Sequence, residues 1–196
     1  MTLDLQNAIH DLSVELADMT RRHDEVAVML EAISDCVPSL IWSKDLEGRY
    51  LFANKAHCEW LGVPAPKGMS DLEIAWLNRA QKPDDPHYYD FGEVCGNSDD
   101  ITLENMKPMR FLEGGNVRGV LFYLQVFKAP LFDRQGKLIG TVGVGNDVTE
   151  RIQERESLLR DLLDVAKEHG IREPFLPLLK RFEAYCNRHR FTQGQE

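Results

Sequence analysis

Residues 128–152 read KAPLFDRQGKLIGTVGVGNDVTERI, and this stretch decides the fold. Asp133 and Gly136 supply the side-chain hydrogen bond and the permissive backbone of a tight turn. The apolar runs on either side therefore pair as strands. The glycines of GTVGVGN are unhelpful in a helix but suit a strand against which something packs closely. Asp147 or Thr149 then caps a helix whose first turn carries Glu150, where the helix dipole favours negative charge.

Working upstream, MRFLEGG (109–115) and VRGVLFYLQVFKAPLF (117–132) read as two more strands. Near the other end, SLIWSKDLEGRYLFAN (39–54) holds strands over Leu40–Lys44 and Arg49–Ala53, with Asp45–Gly48 as the turn. Asn54 caps the helix KAHCEWLG, Gly62 ends it, and Pro64 prevents its continuation. From Pro64 to Asn105 the chain is punctuated by Pro, Gly and Asp. Within it MSDLEIAWLNRAQ is helical with Ser70 or Asp71 as cap, and SDDITLENM is helical too. The order is strand, strand, several short helices, then three strands. Short hairpin links make this an α+β domain: an antiparallel sheet with helices over one face.

Helices flank that domain, and three segments follow: 1–33, 34–147 and 148–196. In the first, Leu5, Ile9, Leu12, Leu16, Met19, His23, Val26, Leu30 and Ile33 recur at alternating steps of four and three. This is the seam of a coiled coil, so a homodimer is expected. The alternative is one amphipathic helix lying on its own domain, although such a helix has a broader apolar face. His23 on the seam reads as a polar residue fixing register or as a pH element. In the third segment, DVTERIQERESLLRDLLDVAKEHG forms one helix stopped by Gly170, and Pro174 to about His189 forms a second.

Composition narrows the class. No apolar run in the 196 residues approaches the roughly 20 needed to cross a bilayer. The start MTLDLQNAIHDL is not a secretory leader. Cys36, Cys58, Cys95 and Cys186 are scattered without zinc-type spacing, so reduced thiols and a cytoplasmic protein are expected, with no metal. A formal charge of -9 argues against nucleic acid or an anionic membrane as partner.

SLIWSKDLEGRYLFANKAHCEWLG resembles the opening of a PAS domain: two strands around a D-x-x-G turn, then an N-x-A helix start closed by Gly. KAPLFDRQGKLIGTVGVGNDVTERI resembles its close, ending in Asp-Val-Thr before a connecting helix. The resemblance covers Ser34 to Glu150 and implies a five-stranded antiparallel sheet, helices cupped over one face, and often a ligand between them. It further implies a sensory module of bacterial signalling, of two-component or diguanylate-cyclase type. Signals in such proteins pass through the flanking helices to a dimer-linked output, here a downstream signalling protein or domain. Asp147 and Thr149 stand at that junction, as helix caps and as the lock between sheet and helix.

Candidate pocket residues are Trp42, Phe52, His57, Trp76, Tyr89, Phe91, Cys95, Tyr123 and Gln125, with Cys58, Arg118 and Phe122 beside them. Each aromatic is also a core residue by type, and sequence does not say which parity of LFYLQVF faces inward. The haem-binding relatives use a His on the last helix before the third strand. SDDITLENM has none, while His87 and Cys95 lie upstream of it. The N-C-R-F-L-Q-like motif of covalent flavin binders is missing too. The ligand is therefore unassigned: noncovalent flavin, a small organic acid, a fatty acid and no ligand all stay open.

EHGIREPF (168–175) echoes the H-E-x-R-T-P-L box of sensor histidine kinases, but Gly170 replaces the acid that assists phosphoryl transfer. No phosphate loop, nucleophile elbow or paired-metal motif occurs elsewhere, so the chain does not read as an enzyme. Three functions remain: a liganded sensor, a ligand-free interaction domain, and a degenerate phosphoacceptor remnant.

Overall fold

The computed structural model describes residues 2–169 and Pro177. The chain divides into two compact units, one ending at Pro38 and the other beginning at Ser39. The first is a single helix, α1 (Thr2–Asp35). Its polar faces carry ion pairs one turn apart, such as Arg21 with Glu25 at 2.8 Å and Arg22 with Asp18 at 2.7 Å.

The second unit opens with β1 (Leu40–Lys44) and β2 (Tyr50–Ala53). Helices α2 (Lys55–Leu61), α3 (Asp71–Arg79) and α4 (Phe91–Asn105) follow. Three strands come next, β3 (Met109–Val117), β4 (Val120–Phe132) and β5 (Leu138–Asp147), and then α5 (Thr149–Glu168). The strands form one antiparallel sheet in the order β2-β1-β5-β4-β3. The order makes β5 central, so the glycine-rich strand carries the first hairpin on one side and the second on the other.

One turn device is used twice. Asp45 Oδ1 accepts from the amides of Glu47 (3.1 Å) and Arg49 (2.8 Å), and Gly48 takes a left-handed φ of 73°. Asp133 Oδ1 accepts from Gln135 (2.9 Å) and Lys137 (2.8 Å), with Gly136 at 78°. The helix signals also hold. Asn54 accepts from the His57 amide at 3.0 Å, Gly62 ends α2 at φ 71°, and Ser70 with Glu73 makes a capping box on α3.

Several boundaries differ from the sequence reading: α1 runs to Asp35 and its unit to Pro38 rather than Ile33, and β2 begins at Tyr50 rather than Arg49. Helix α4 begins at Phe91 rather than near Ser98. Val117 closes β3 instead of opening β4, because Arg118 and Gly119 both adopt positive φ (52° and 79°) and form a two-residue hairpin turn. An arginine in that conformation gives no turn signal in sequence. Apart from Pro177, the expected second C-terminal helix, Pro174 to about His189, lies outside the described residues.

Alternation assigns the two faces of the sheet. Leu40, Trp42 and Lys44 of β1 and Leu124, Val126 and Lys128 of β4 are buried beneath the helical layer. Ile74, Ala75, Tyr89, Phe91, Leu61 and Tyr50 complete that core. The opposite face carries a smaller cluster, in which Tyr123 and Leu112 pack with Val148 and Ile152 at the start of α5.

Candidate functional site

The interior between sheet and helices is not purely apolar. Lys44 and Lys128 occupy inward positions one strand apart on either side of β5, and both are essentially fully buried. Asp99 of α4 bridges them, 2.8 Å from each ammonium group. Lys44 also pairs with Asp71, at the start of α3. Lys128 donates to Ser98 Oγ at 2.6 Å and lies 3.3 Å from Glu113 of β3, which in turn accepts from Ser98. Thr141 of β5 reaches Asp99 at 3.5 Å. Isolated buried charges are expensive, and only mutual pairing with satisfied hydrogen bonds keeps such a group ionised. Burial alone would raise the Asp99 pKa, but the two lysine charges and their hydrogen bonds outweigh it and hold the carboxyl below its ordinary range.

The network continues into an aromatic wall. Tyr50 donates its hydroxyl hydrogen to Asp71 at 2.7 Å, so His57 Nε2, 3.1 Å from that oxygen, is the donor between them. His57 is neutral: burial, and then the charges of Lys44 and Lys128, push its pKa down to about 3. Its ring is sandwiched between indoles, with centroids 4.9 Å from Trp42 and 5.9 Å from Trp60. Phe91 and Phe122 meet Trp60 edge-on.

These side chains surround a cavity of about 10 Å³ lined by Trp42, Tyr50, His57, Trp60, Phe91 and Leu124 among others. That volume admits about one water molecule. Three lining side chains hold buried polar atoms without a hydrogen-bond partner among the described residues: Trp42 Nε1, Trp60 Nε1 and His57 Nδ1. Leaving such a group unsatisfied costs about 1–3 kcal/mol each, so three on residues of one lining favour a polar occupant beside them.

Of the nine pocket residues named from sequence, Trp42, His57, Tyr89 and Phe91 line this cavity. Four lie elsewhere. Phe52 pairs with Ser43 on the outer face of β1–β2, and Tyr123 and Gln125 have the outward parity of β4. Trp76 is 61 % exposed, because Ile74, Ala75 and Asn78 take the buried side of α3. Cys95 falls within α4, but its side chain lies outside those described. Of the secondary candidates, Phe122 packs against the core, and Cys58 is half-buried with its thiol directed at the Ala53 carbonyl. Arg118 reaches the carbonyls of Glu59 and Trp60 at the end of α2. Lys44, Lys128, Asp99 and Glu113 were not singled out in the sequence, and Asp71 only as a helix cap, since a charged side chain is the last type expected at a core position.

At the sheet-to-helix junction, the Tyr123 amide donates to Thr149 Oγ1 at 2.9 Å, and the Val148 amide donates to the Tyr123 carbonyl at 2.9 Å. Asp147 Oδ1 accepts from the Thr149 amide (2.9 Å) and hydroxyl (2.5 Å). The first turn of α5 is thus tied to β4 as well as continuous with β5.

No protein-family model matches the sequence, and no curated protein matches it. Solved structures do. The phage VqmA–DPO complex aligns with a TM-score of 0.51 at 18 % identity over 74 % of this chain and 63 % of that one. The PAS domain of Bordetella pertussis BvgS aligns at 0.47, with 24 % identity over 74 % of this chain and 98 % of its own. The five-stranded antiparallel sheet with helices packed over one face is the architecture that the sequence resemblance implied. The fold is that of a PAS domain.

A complex of Vibrio cholerae VqmA with ligand and DNA aligns with this PAS domain at a TM-score of 0.48, with 25 % identity over 61 % of this chain and 51 % of that one. That structure corrects the expectation that net charge argues against nucleic acid. DNA is contacted by local surfaces, and the overall charge of -9 does not describe them. The present chain spans half to under two thirds of the VqmA chains it matches. Among the described residues, no helix is long and apolar enough to cross a membrane.

Proposed function

We propose that this chain is a non-catalytic sensory module whose PAS domain takes a small molecule into the cavity beside Trp42, His57 and Trp60. The observation that carries the reading is that three side chains lining the cavity, Trp42, His57 and Trp60, each hold a buried polar atom without a hydrogen-bond partner among the described residues. A domain kept only for packing would favour apolar groups there.

Relay runs through the flanking helices. An occupant bears on β1 and β5 through Trp42, and β5 leads directly into α5 past Asp147 and Thr149. At the other end, Ser39 donates to Asn146 of β5 at 2.7 Å, and Asn54 donates to the Ser39 carbonyl at 2.9 Å, so the segment following α1 is coupled to the same strand. Dimerisation through α1 supplies the second copy against which helix register or crossing angle changes. The seam residues Ile9, Leu12, Leu16, Met19, Val26 and Leu30 are 50–66 % exposed along α1, an apolar stripe suited to a partner helix.

Native mass spectrometry of the purified protein tests subunit count and retained ligand together. A dimer with added mass supports the sensor. A dimer of bare chains favours a second reading, a ligand-free interaction domain, for which the small cavity volume speaks. A monomer sinks the relay through a coiled coil.

A further inference from the structure

The β3–β4 hairpin turns through Arg118 and Gly119, both at positive φ. Glycine and asparagine take that conformation readily, whereas the Cβ of an arginine strains it. Such a residue persists where its surroundings hold it, and strained positions of this kind gather at switch regions. The surroundings of Arg118 are the last turn of α2. Its Nη2 donates to the carbonyls of Glu59 at 3.1 Å and Trp60 at 3.3 Å. A cation there also complements the negative end of the helix. The fit depends on Gly62, since a Cβ at that position would stand 3.1 Å from Arg118 Nη1 and 3.5 Å from its Cδ.

The neighbours of Arg118 are fastened to a different part of the helical layer, the segment leading into α4. The Gly119 amide donates to the Tyr88 carbonyl at 2.8 Å, and the Asp90 amide donates to the Asn116 carbonyl at 3.0 Å. Asn116 Nδ2 donates back to Asp90 at 2.9 Å. These bonds keep the hairpin tip in place whether or not Arg118 holds α2.

Helix α2 is held differently at its two ends. At its start the buried Asn54 accepts from the amides of Ile41 and His57, both at 3.0 Å, and donates to the Ser39 carbonyl at 2.9 Å. At its end the exposed Arg118 is joined by Asn78 of α3, whose amide donates to the Leu61 carbonyl at 3.2 Å. Release of that end means lifting the buried Leu61 and the Trp60 ring, which meets Phe91 and Phe122 edge-on.

We propose that α2 is a flap hinged at Asn54 and latched by Arg118, with the strain of the β3–β4 turn held by the latch. When the guanidinium leaves the α2 carbonyls, the contact that offsets the left-handed backbone of Arg118 is gone. The end of the flap that carries Trp60 then lifts from the sheet. The device works whether or not the cavity is filled, so it does not rest on the sensor reading.

Hydrogen exchange of the full chain, read by mass spectrometry, tests this in Arg118→Gly and Arg118→Asn. Both replacements suit the turn but are too short to reach α2, so the hairpin forms while the latch is removed. Exchange over residues 58–63 is expected to quicken roughly tenfold, while that of β5 stays as it is. Unchanged exchange over 58–63 in both variants overturns the latch, and a higher Tm for Arg118→Gly alongside it reduces Arg118 to a strained turn residue. An equal rise across β5 also overturns it, because the whole domain rather than one flap has then loosened. None of these outcomes bears on the ligand mass retained by the protein, which decides the sensor reading separately.

Discussion

Gly143 of β5 lies against the indole of Trp42 on β1: a Cβ built at Gly143 would stand 2.4 Å from Trp42 Cζ2. Gly145 is the next inward position, and its Cβ would be 3.3 Å from the same ring. The missing side chains make the bed in which Trp42 lies flat, and this is what presents the opposite side of the indole to His57. Gly143→Ala should therefore displace Trp42 and cost about 1–3 kcal/mol through overpacking. Urea unfolding followed by tryptophan fluorescence checks it. A change under half the lower figure would show that the ring moves aside freely.

The buried ions make a second prediction. Asp99 touches both lysines, so Asp99→Asn removes a charge that compensates Lys44 and Lys128 together while conserving volume. Breaking a buried pair by removing one partner costs roughly 3–5 kcal/mol. Denaturant unfolding of the variant should show a loss in that range. A loss like that of a surface ion pair, under about 1 kcal/mol, would mean that solvent reaches the network.

Acid stability follows from His57. Its pKa is about 3 in the folded protein against 6.5 ordinarily, so below 6.5 the unfolded chain binds a proton that the folded chain refuses. Stability is present in full above pH 6.5 and is lost as pH falls from there toward 3. The slope is about 1.4 kcal/mol per pH unit for one proton. Asp99, held below its ordinary range, adds acid sensitivity with the same sign, but only below 3.8. Measuring stability at pH 6 and pH 5 isolates the histidine. His57→Gln should flatten that interval, and an unchanged slope in the variant would assign the effect to another group.

Most of the frame was legible because local rules fix it. The Asp-x-x-Gly turns, Asn54, Ser70 and Gly62 each act within a few residues of themselves, so β1, β2, α2 and the β4–β5 hairpin are readable from one stretch of chain. The glycines of β5 were readable as a close approach, though not as a seat for Trp42. The site was less legible because it depends on parity. In YLQVFK the sequence does not say whether Tyr123, Gln125 and Phe127 or Leu124, Val126 and Lys128 face inward, and the lysine argues for the wrong choice. The one signal available was that Lys44 shares alternation with Leu40 and Trp42, as Lys128 does with Leu124 and Val126. Two lysines in phase with apolar residues are cause to look for buried acids.

The relay requires α1 to meet a second copy, and this gives the last prediction. Leu16 and Leu30 are two heptads apart on the seam, 66 % and 58 % exposed along the helix. If these positions face a partner helix, a carboxylate at each sits beside its symmetry mate, where like charges repel in a desolvated seam. Leu16→Asp combined with Leu30→Asp should then halve the mass seen by light scattering and leave the PAS domain folded, since both residues belong to the separate unit ending at Pro38. His23 occupies a seam position, with its side chain 81 % exposed in the single chain. Replacing it with Leu should tighten the dimer if it is a polar seam residue. A double-aspartate variant of undiminished mass would place the interface away from this seam, and α1 would then need another partner for its apolar stripe.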